Sequence, residues 1–238
     1  MCCTETFATR YKDHMPNIQE KRVLCRLLKL NFRMRILIVA ATSGEVQPSL
    51  LFLKEQGIDV LITGVGMVET AFALGERLAQ TQYDLLLNVG VAGSFSRAIQ
   101  IGDVLGVSAD RLIELGAEDG EQFLPIEEMG LAESVFKVGV LTNLPPTGLP
   151  DVKAITVNTV HGNNDSIEML SKRLDGAVLE SMEGAAVLFA AKKKGVSVMQ
   201  VRAVSNYVER RNTSSWNMPL AVEKLNEWLQ RYLHSLLS

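Results

Sequence analysis

From Met34 onward the apolar positions change period repeatedly, from unbroken runs to helical spacing and back. Arg35-Ile36-Leu37-Ile38-Val39-Ala40-Ala41 is nearly all apolar, which predicts a strand covered on both faces. Residues 45–56 read as a helix, with Pro48 tolerated in its first turn and Gly57 as its stop. Strands over 58–63 and 84–89 flank a helix over 67–79, and the later strand runs into Gly90-Val91-Ala92-Gly93. A strand follows over 101–107. Residues 109–135 are acidic and weakly periodic, and read as a surface excursion. Strands over 136–141 and 153–160 flank the turn-rich residues 143–150. A short helix over 166–174, a strand over 177–179, a helix over 182–194 and a strand over 197–204 come next. The terminal helix covers 215–237, and Leu220, Leu225, Trp228, Leu229, Tyr232, Leu233 and Leu236 form its apolar face.

Strands alternating with helices predict an α/β fold: a three-layer sandwich with a mixed, mostly parallel central sheet. Ligands of such sheets bind at the carboxyl ends of the strands. The polar and glycine-rich residues gather at those ends, at 41–45, 64–66, 90–93, 160–164, 181–183 and 205–206. One pocket built from six strand ends is the expectation.

Residues 1–33 differ from the rest. They hold all three cysteines, Cys2, Cys3 and Cys25, and carry a net charge of +4, against −7 for residues 34–238. Their apolar stretch at 23–30 is broken by Arg26 and Lys29, so no signal-peptide core is formed. The reading is an N-terminal extension outside the fold, as from a start codon set upstream of Met34. A cytosolic binding tail and an organelle address are the alternatives. The expected domain is residues 34–238.

Composition excludes several classes. The chain is 47% hydrophobic and carries a net charge of −3, which argues against wholesale disorder and against a nucleic-acid binder with a basic face. No apolar run approaches the ~20 residues of a membrane-spanning helix, so no membrane association is expected. Gly64-Val65-Gly66-Met67-Val68-Glu69 follows a strand, but Glu69 stands where the dinucleotide fingerprint needs its third glycine. The chain has no P-loop motif, paired-Cys pattern or HExxH motif, so neither a cofactor nor a metal is expected. His161 follows a strand end and reads as a solvated loop histidine beside Gly162 and Asn163 in preference to a pocket residue.

What remains is Glu45, Glu183, Arg202 and Asn206, all at strand ends. Glu183 lies in Glu180-Ser181-Met182-Glu183-Gly184-Ala185-Ala186, where small residues allow close approach. Its carboxylate can accept two hydrogen bonds from a vicinal diol such as ribose O2′ and O3′. An acid stabilising a helix N-terminus explains it equally well.

Ser181-Met182-Glu183-Gly184-Ala185-Ala186 and Val201-Arg202-Ala203-Val204-Ser205-Asn206 together resemble the nucleoside phosphorylase and nucleosidase superfamily. The opening stretch from Met34 to Val46 is similar to that of the methylthioadenosine/S-adenosylhomocysteine nucleosidases, and Gly64-Val65-Gly66 and Asn88-Val89-Gly90-Val91-Ala92-Gly93 fall at that family's glycine turns. Ser205-Asn206-Tyr207-Val208-Glu209-Arg210-Arg211-Asn212 and Trp216-Asn217-Met218-Pro219-Leu220-Ala221 resemble the futalosine hydrolases within it. The likeness covers 34–238. It implies Glu45 as the water-activating base, Asn206 as the second catalytic position, Met182 and Glu183 at the ribose, and Arg202 near the catalytic glutamate. Val91, Gly93 and Val160 complete the implied substrate-binding set. Two positions depart from the methylthioadenosine nucleosidases: Asn206 replaces an aspartate and Val91 a serine.

The chemistry fits these residue types. Breaking an N-ribosidic bond develops positive charge on the ribosyl ring, which Glu183 can stabilise while Glu45 takes a proton from water. The leaving purine gains electron density at N7, where a donor helps. Hypoxanthine presents O6 and N7, both acceptors, so an Asn206 amide donates to it without protonation, whereas adenine N6 meets it donor to donor. The expected substrate is therefore a 6-oxopurine nucleoside. The resemblance implies futalosine, with hypoxanthine and dehypoxanthine futalosine as products, in the alternative route to menaquinone. Its 5′ carboxyphenyl group calls for an apolar pocket ending in a cation, with Arg210, Arg211 and Trp216 as candidates beside a solvated-loop alternative. Thr42-Ser43-Gly44-Glu45 offers no arginine for phosphate, which favours hydrolysis over phosphorolysis. The alternatives are a methylthioadenosine/S-adenosylhomocysteine nucleosidase, a purine or uridine nucleoside phosphorylase, and a non-catalytic nucleoside-binding protein. The implied setting is a cytoplasmic homo-oligomer, dimer or higher, with Phe95, Phe123 and Leu124 as candidate contact residues.

Overall fold

A strand that is apolar at every position must be covered on both faces, and β1 (Ile36–Ala40) is buried throughout. The computed structural model describes residues 34–139 and 144–238; the expected extension at 1–33 and the end of the expected strand at 136–141 lie outside the described residues. Side chains alternate across the sheet with period two. Ile36, Ile38 and Ala40 face one core cluster, and Leu37 and Val39 face another. β3 (Leu85–Ser94) and β10 (Ser197–Tyr207) repeat the division, with Leu85, Leu87, Met199 and Val201 on the first side and Leu86 and Val198 on the second.

The first side is covered by α1 (Ser43–Val46), α2 (Leu50–Glu55) and the terminal α6 (Met218–Leu237), through Val46, Leu53, Leu225, Trp228 and Leu229. The second is covered by α3 (Met67–Gln80) and α5 (Gly184–Lys194), through Leu74, Ala185, Val187 and Leu188. These are the three layers the alternation predicts. The remaining helix, α4 (Asn164–Ser171), is capped by the Asn163 side chain.

The sheet is mixed. β1 runs parallel to β2 (Asp59–Ile62) and to β3, β3 to β10, and β8 (Asp151–Thr156) to both β4 (Val104–Leu112) and β9 (Ala177–Ser181). The β10–β4 and β3–β9 pairs are antiparallel, as is the pair of β4 with β7 (Val135–Lys137). Because β10 bonds to both β3 and β4, the strands β3, β10, β4, β8 and β9 close a ring. Closure removes two sheet edges and draws the ends of these strands together.

Two expectations change. The helix expected over 45–56 is broken at Pro48, which has no N–H to give, into α1, a 3₁₀ turn at Gln47–Ser49 and α2. The excursion expected over 109–135 is partly core: β4 continues to Leu112 and carries Asp110, 1% exposed, between Thr156 and Gln200. Its charges hid the strand in the sequence. A hairpin of β5 (Gly116–Asp119) and β6 (Gln122–Pro125) follows, turning at Gly120. Phe95, half-buried, packs beside Ile113 and Ile155, and the Arg173 guanidinium lies 4.2 Å from the ring centroid of the half-buried Phe123. Among the described residues no helix is long and apolar enough to cross a membrane.

Candidate active site

The six strand ends singled out by the sequence meet at one cleft of about 360 Å³. Glu45, Val91, Gly93, Val160, Met182, Glu183 and Asn206 all line it. Arg202 does not reach its wall.

Glu45 is the third residue of α1, and its side chain folds back over the helix start. Oε2 accepts from the Thr42 N–H at 3.0 Å and the Thr42 hydroxyl at 3.3 Å, and Oε1 accepts from the Val91 N–H at 3.0 Å. The terminal helix holds the same turn, since Asn226 Nδ2 donates to the Glu45 carbonyl at 2.8 Å. Gly90 is required beneath it, because a Cβ there would lie 2.7 Å from Glu45 Oε1. At position 91 it is the backbone N–H, which any residue supplies, that holds Glu45.

Glu183 lies between β9 and α5. Its Oε1 accepts from the Gly66 N–H at 2.8 Å, and its side chain lines the cleft. Burial pushes its pKa above the usual carboxylate range, against the opposing pull of that N–H and of Arg202. A raised pKa in a cleft marks a functional carboxylate more often than a surface one.

Asn206 is aimed by a β-bulge. β10 pairs Val204 with Ala92 and then Asn206 with Gly93, so Ser205 is the extra residue and the strand kinks. The Asn206 Oδ1 accepts from the Ser205 hydroxyl at 2.8 Å, and Nδ2 donates to the Tyr207 carbonyl at 3.0 Å, leaving one N–H of the amide unused. Gly93 makes room, since a Cβ there would stand 3.2 Å from Nδ2.

Arg202 is buried behind the cleft. Nη2 donates to Asn88 Oδ1 at 2.6 Å and Nη1 to its neighbour's carbonyl at 3.1 Å. Nη1 also stands 3.5 Å from the point that a Gly90 Cβ would occupy, on the Glu45 side of the strand. Arg202 therefore acts on the site as a buried charge and not as a wall residue.

The structure corrects the reading of His161. Its ring lines the cleft with the side chain 14% exposed, and it is tied to Glu180, which the sequence reading passed over. The signal was available: Val160-His161-Gly162 and Glu180-Ser181 both stand at strand ends. Of the three candidates for the 5′ group, Arg211 and Trp216 line the cleft, with the guanidinium 5.0 Å from the indole centroid, and Arg210 does not; Glu209 lines it as well. Among the described residues no three His, Cys, Asp or Glu side chains converge as a metal site.

Comparisons with known proteins place the family and the fold. The profile of the phosphorylase superfamily matches residues 51–234. A futalosine hydrolase of Acidothermus cellulolyticus is 37% identical over 175 residues, covering 70% of this chain and 71% of that protein. One from Streptomyces coelicolor is 32% identical over 186 residues, covering 72% and 76%. In fold the chain is similar to a 5′-methylthioadenosine/S-adenosylhomocysteine nucleosidase from Helicobacter pylori solved with butyl-thio-DADMe-Immucillin-A. That structure has a TM-score of 0.73 at 17% identity, covering 87% of this chain and 100% of that one.

Proposed function

The chain belongs to the phosphorylase superfamily and, within it, to the futalosine hydrolases, and from that premise we propose how residues 34–238 cleave their substrate. The reaction is hydrolysis of the N-ribosidic bond of futalosine, which releases hypoxanthine and dehypoxanthine futalosine for the alternative route to menaquinone. The observation that carries the assignment of roles is the meeting of Glu45, Glu183 and Asn206, from three separate strand ends, in one cleft.

Glu45 takes a proton from the attacking water, and its three hydrogen bonds fix the carboxylate for that task. The Glu183 carboxylate holds the ribose hydroxyls, and its charge opposes the cation that develops as the bond breaks. Met182 packs against the sugar. The free N–H of Asn206 donates to the purine edge, where the leaving base gains electron density. Val91, Gly93 and Val160 shape the walls, and Arg202 offsets part of the repulsion between the site's carboxylates.

Water is favoured over phosphate by the charge of the cleft. Glu45, Glu183 and Glu209 line it, and among the described residues the one arginine on its wall, Arg211, lies with its guanidinium 5.0 Å from the Trp216 ring centroid. A dianion brought to Glu45 meets repulsion, and no guanidinium on the wall beside Glu45 is placed to bind it, since Arg202 is buried behind the cleft and bonded to Asn88 and the Val201 carbonyl. Arg211 and Trp216 instead suit the 5′ aryl carboxylate. The protein is placed in the cytoplasm. A second copy is placed against the exposed row of Val65, Val68 and Phe72 on α3 and the turn before it.

The deciding experiment follows hypoxanthine release from futalosine with and without phosphate. Equal rates are expected. Strict dependence on phosphate overturns the hydrolase reading, and faster release of adenine from methylthioadenosine overturns the substrate.

A further inference from the structure

The mechanism leaves unused a buried polar pair on the cleft wall. Glu180 is 4% exposed, and both its oxygens are taken by one residue. Oε2 accepts from the His161 backbone N–H at 3.0 Å, and Oε1 meets His161 Nδ1 at 2.5 Å. Burying a carboxylate is costly, and a clamp on both the backbone and the ring of one histidine fixes where that ring points. With Nδ1 engaged, Nε2 is the atom the ring has left to offer.

The register places this pair. Glu180 lies opposite Gly93 in the antiparallel β3–β9 pair, so its side chain rises on the face where Gly93 has none. The Asn206 amide stands over the same glycine. His161 and Asn206 therefore flank one slot floored by Gly93.

We propose that His161 is a second base-contacting residue, its Nε2–H donating to the purine beside Asn206, and that Glu180 is the positioning residue that holds it there. Two donors then meet the two acceptors of hypoxanthine, O6 and N7, while a 6-amino group presents an N–H to one of them. This rests on the nucleosidase reading given above. The groups that face the pair are mostly acidic. Glu45 and Glu183 share the cleft, Glu209 and Arg211 flank it from the segment after β10, and Glu114 faces Glu180. Burial pushes the Glu180 carboxyl up, which favours a pair without net charge. Both neutral arrangements, imidazolium with carboxylate or imidazole with carboxylic acid, carry hydrogen on Nε2.

The test compares a 6-oxopurine nucleoside with its 6-amino counterpart. His161→Ala is expected to lower kcat/KM for the oxo substrate by about tenfold to a hundredfold, and for the amino substrate by less. His161→Gln, which keeps a donor, restores part of the preference. Glu180→Gln can keep the clamp, its oxygen accepting from the His161 N–H and its NH₂ donating to Nδ1, and should retain the preference, whereas Glu180→Ala frees the ring and should lose it; a preference kept in Glu180→Ala overturns the positioning role. An unchanged preference in His161→Ala, or an equal loss on both substrates, overturns the proposal. A second readout needs only the wild-type chain: histidine ring NMR, in which His161 is one of three histidines. Free hypoxanthine should shift the His161 signal more than adenine does, and a signal that neither base moves overturns the proposal. If the wild type releases no hypoxanthine, the nucleosidase reading fails by itself, and the NMR contact still decides the role of His161.

Discussion

The backbone N–H of Gly66 donates to Glu183 Oε1 at 2.8 Å, tying the turn before α3 to the junction of β9 and α5. Gly66 has φ +95° and ψ 160°, a conformation in essence reserved for glycine. Gly64 makes room for Glu69 of α3, whose Cβ would stand 3.2 Å from a Cβ there, and Gly66 serves the site. Gly66 lets the backbone turn so that one amide reaches a buried carboxylate, which an acid used only to stabilise its own helix does not require.

Gly66→Ala should therefore affect both stability and catalysis. The strained φ costs about 1–3 kcal/mol, and any shift of the amide removes a donor that favours the charged form of Glu183. Glu183 must be ionised to act, and burial already raises its pKa, so activity is lost on the acid side, at a pH above the ordinary carboxylate range. In the variant this limb moves to still higher pH. Gly120→Ala, strained alike at φ +63° in the β5–β6 turn, should lower Tm without moving the limb. Identical pH–rate profiles for Gly66→Ala and wild type contradict the role given to this hydrogen bond.

Glu45→Gln is expected to lower kcat by about 10²–10⁴ with KM little changed, since the amide keeps the shape of the side chain and loses the base. It also turns one amide N–H₂ toward a donor, either at Thr42 or at Val91. Gly90→Ala reaches the same group from the sheet: its Cβ falls 2.7 Å from Glu45 Oε1 and must displace it. Both variants should bind hypoxanthine as the wild type does. Full activity in either, measured by hypoxanthine release, removes Glu45 as the base.

The six strand ends were legible because apolar runs stop where glycines and polar residues begin, and that boundary depends on local sequence alone. Closure of the ring was not, since it depends on β10 bonding to two partners at once. Asp110 was hidden for a similar reason. An aspartate in an acidic stretch reads as surface until Thr156, 46 residues away, and Gln200, 90 residues away, are placed against it. The His161–Glu180 pair likewise joins residues 19 apart, and only the pairing of β8 with β9 brings their strand ends together. Long-range partners decide whether a polar residue is solvated or buried, and no short window contains them.

Asn206→Asp tests base recognition. Its Oδ1 accepts from the Ser205 hydroxyl, so an amide N–H is the group free to meet the purine. A carboxylate in its place accepts from a 6-amino group and repels O6, so the preference should move toward 6-aminopurine nucleosides, by about tenfold to a hundredfold. The measurement is the ratio of kcat/KM for the two substrates. A ratio equal to that of the wild type means that this side chain does not read position 6.

Asp110 carries a prediction about stability. The Thr156 hydroxyl donates to its Oδ1 at 2.9 Å and Gln200 Nε2 to its Oδ2 at 2.7 Å, while the Ala185 N–H donates to the Thr156 hydroxyl at 2.8 Å. The start of α5 is pressed against this group, since a Cβ on Gly184 would lie 2.1 Å from Asp110 Oδ2. Burial nevertheless raises its pKa, more than these donors and Arg202 lower it. The folded chain then binds this proton more tightly than the unfolded chain does. By linkage, its contribution to stability falls as pH rises from the ordinary carboxylate value, about 4, and levels off above the folded value. Asp110→Asn cannot titrate. The difference in unfolding free energy, wild type minus variant, should therefore decline with rising pH and then become flat. Glu180 and Glu183 titrate with the same sign in both proteins and cancel in that difference. A difference that grows with pH means that Asp110 is held as a carboxylate by its donors and by the helix start, against the cost of burial.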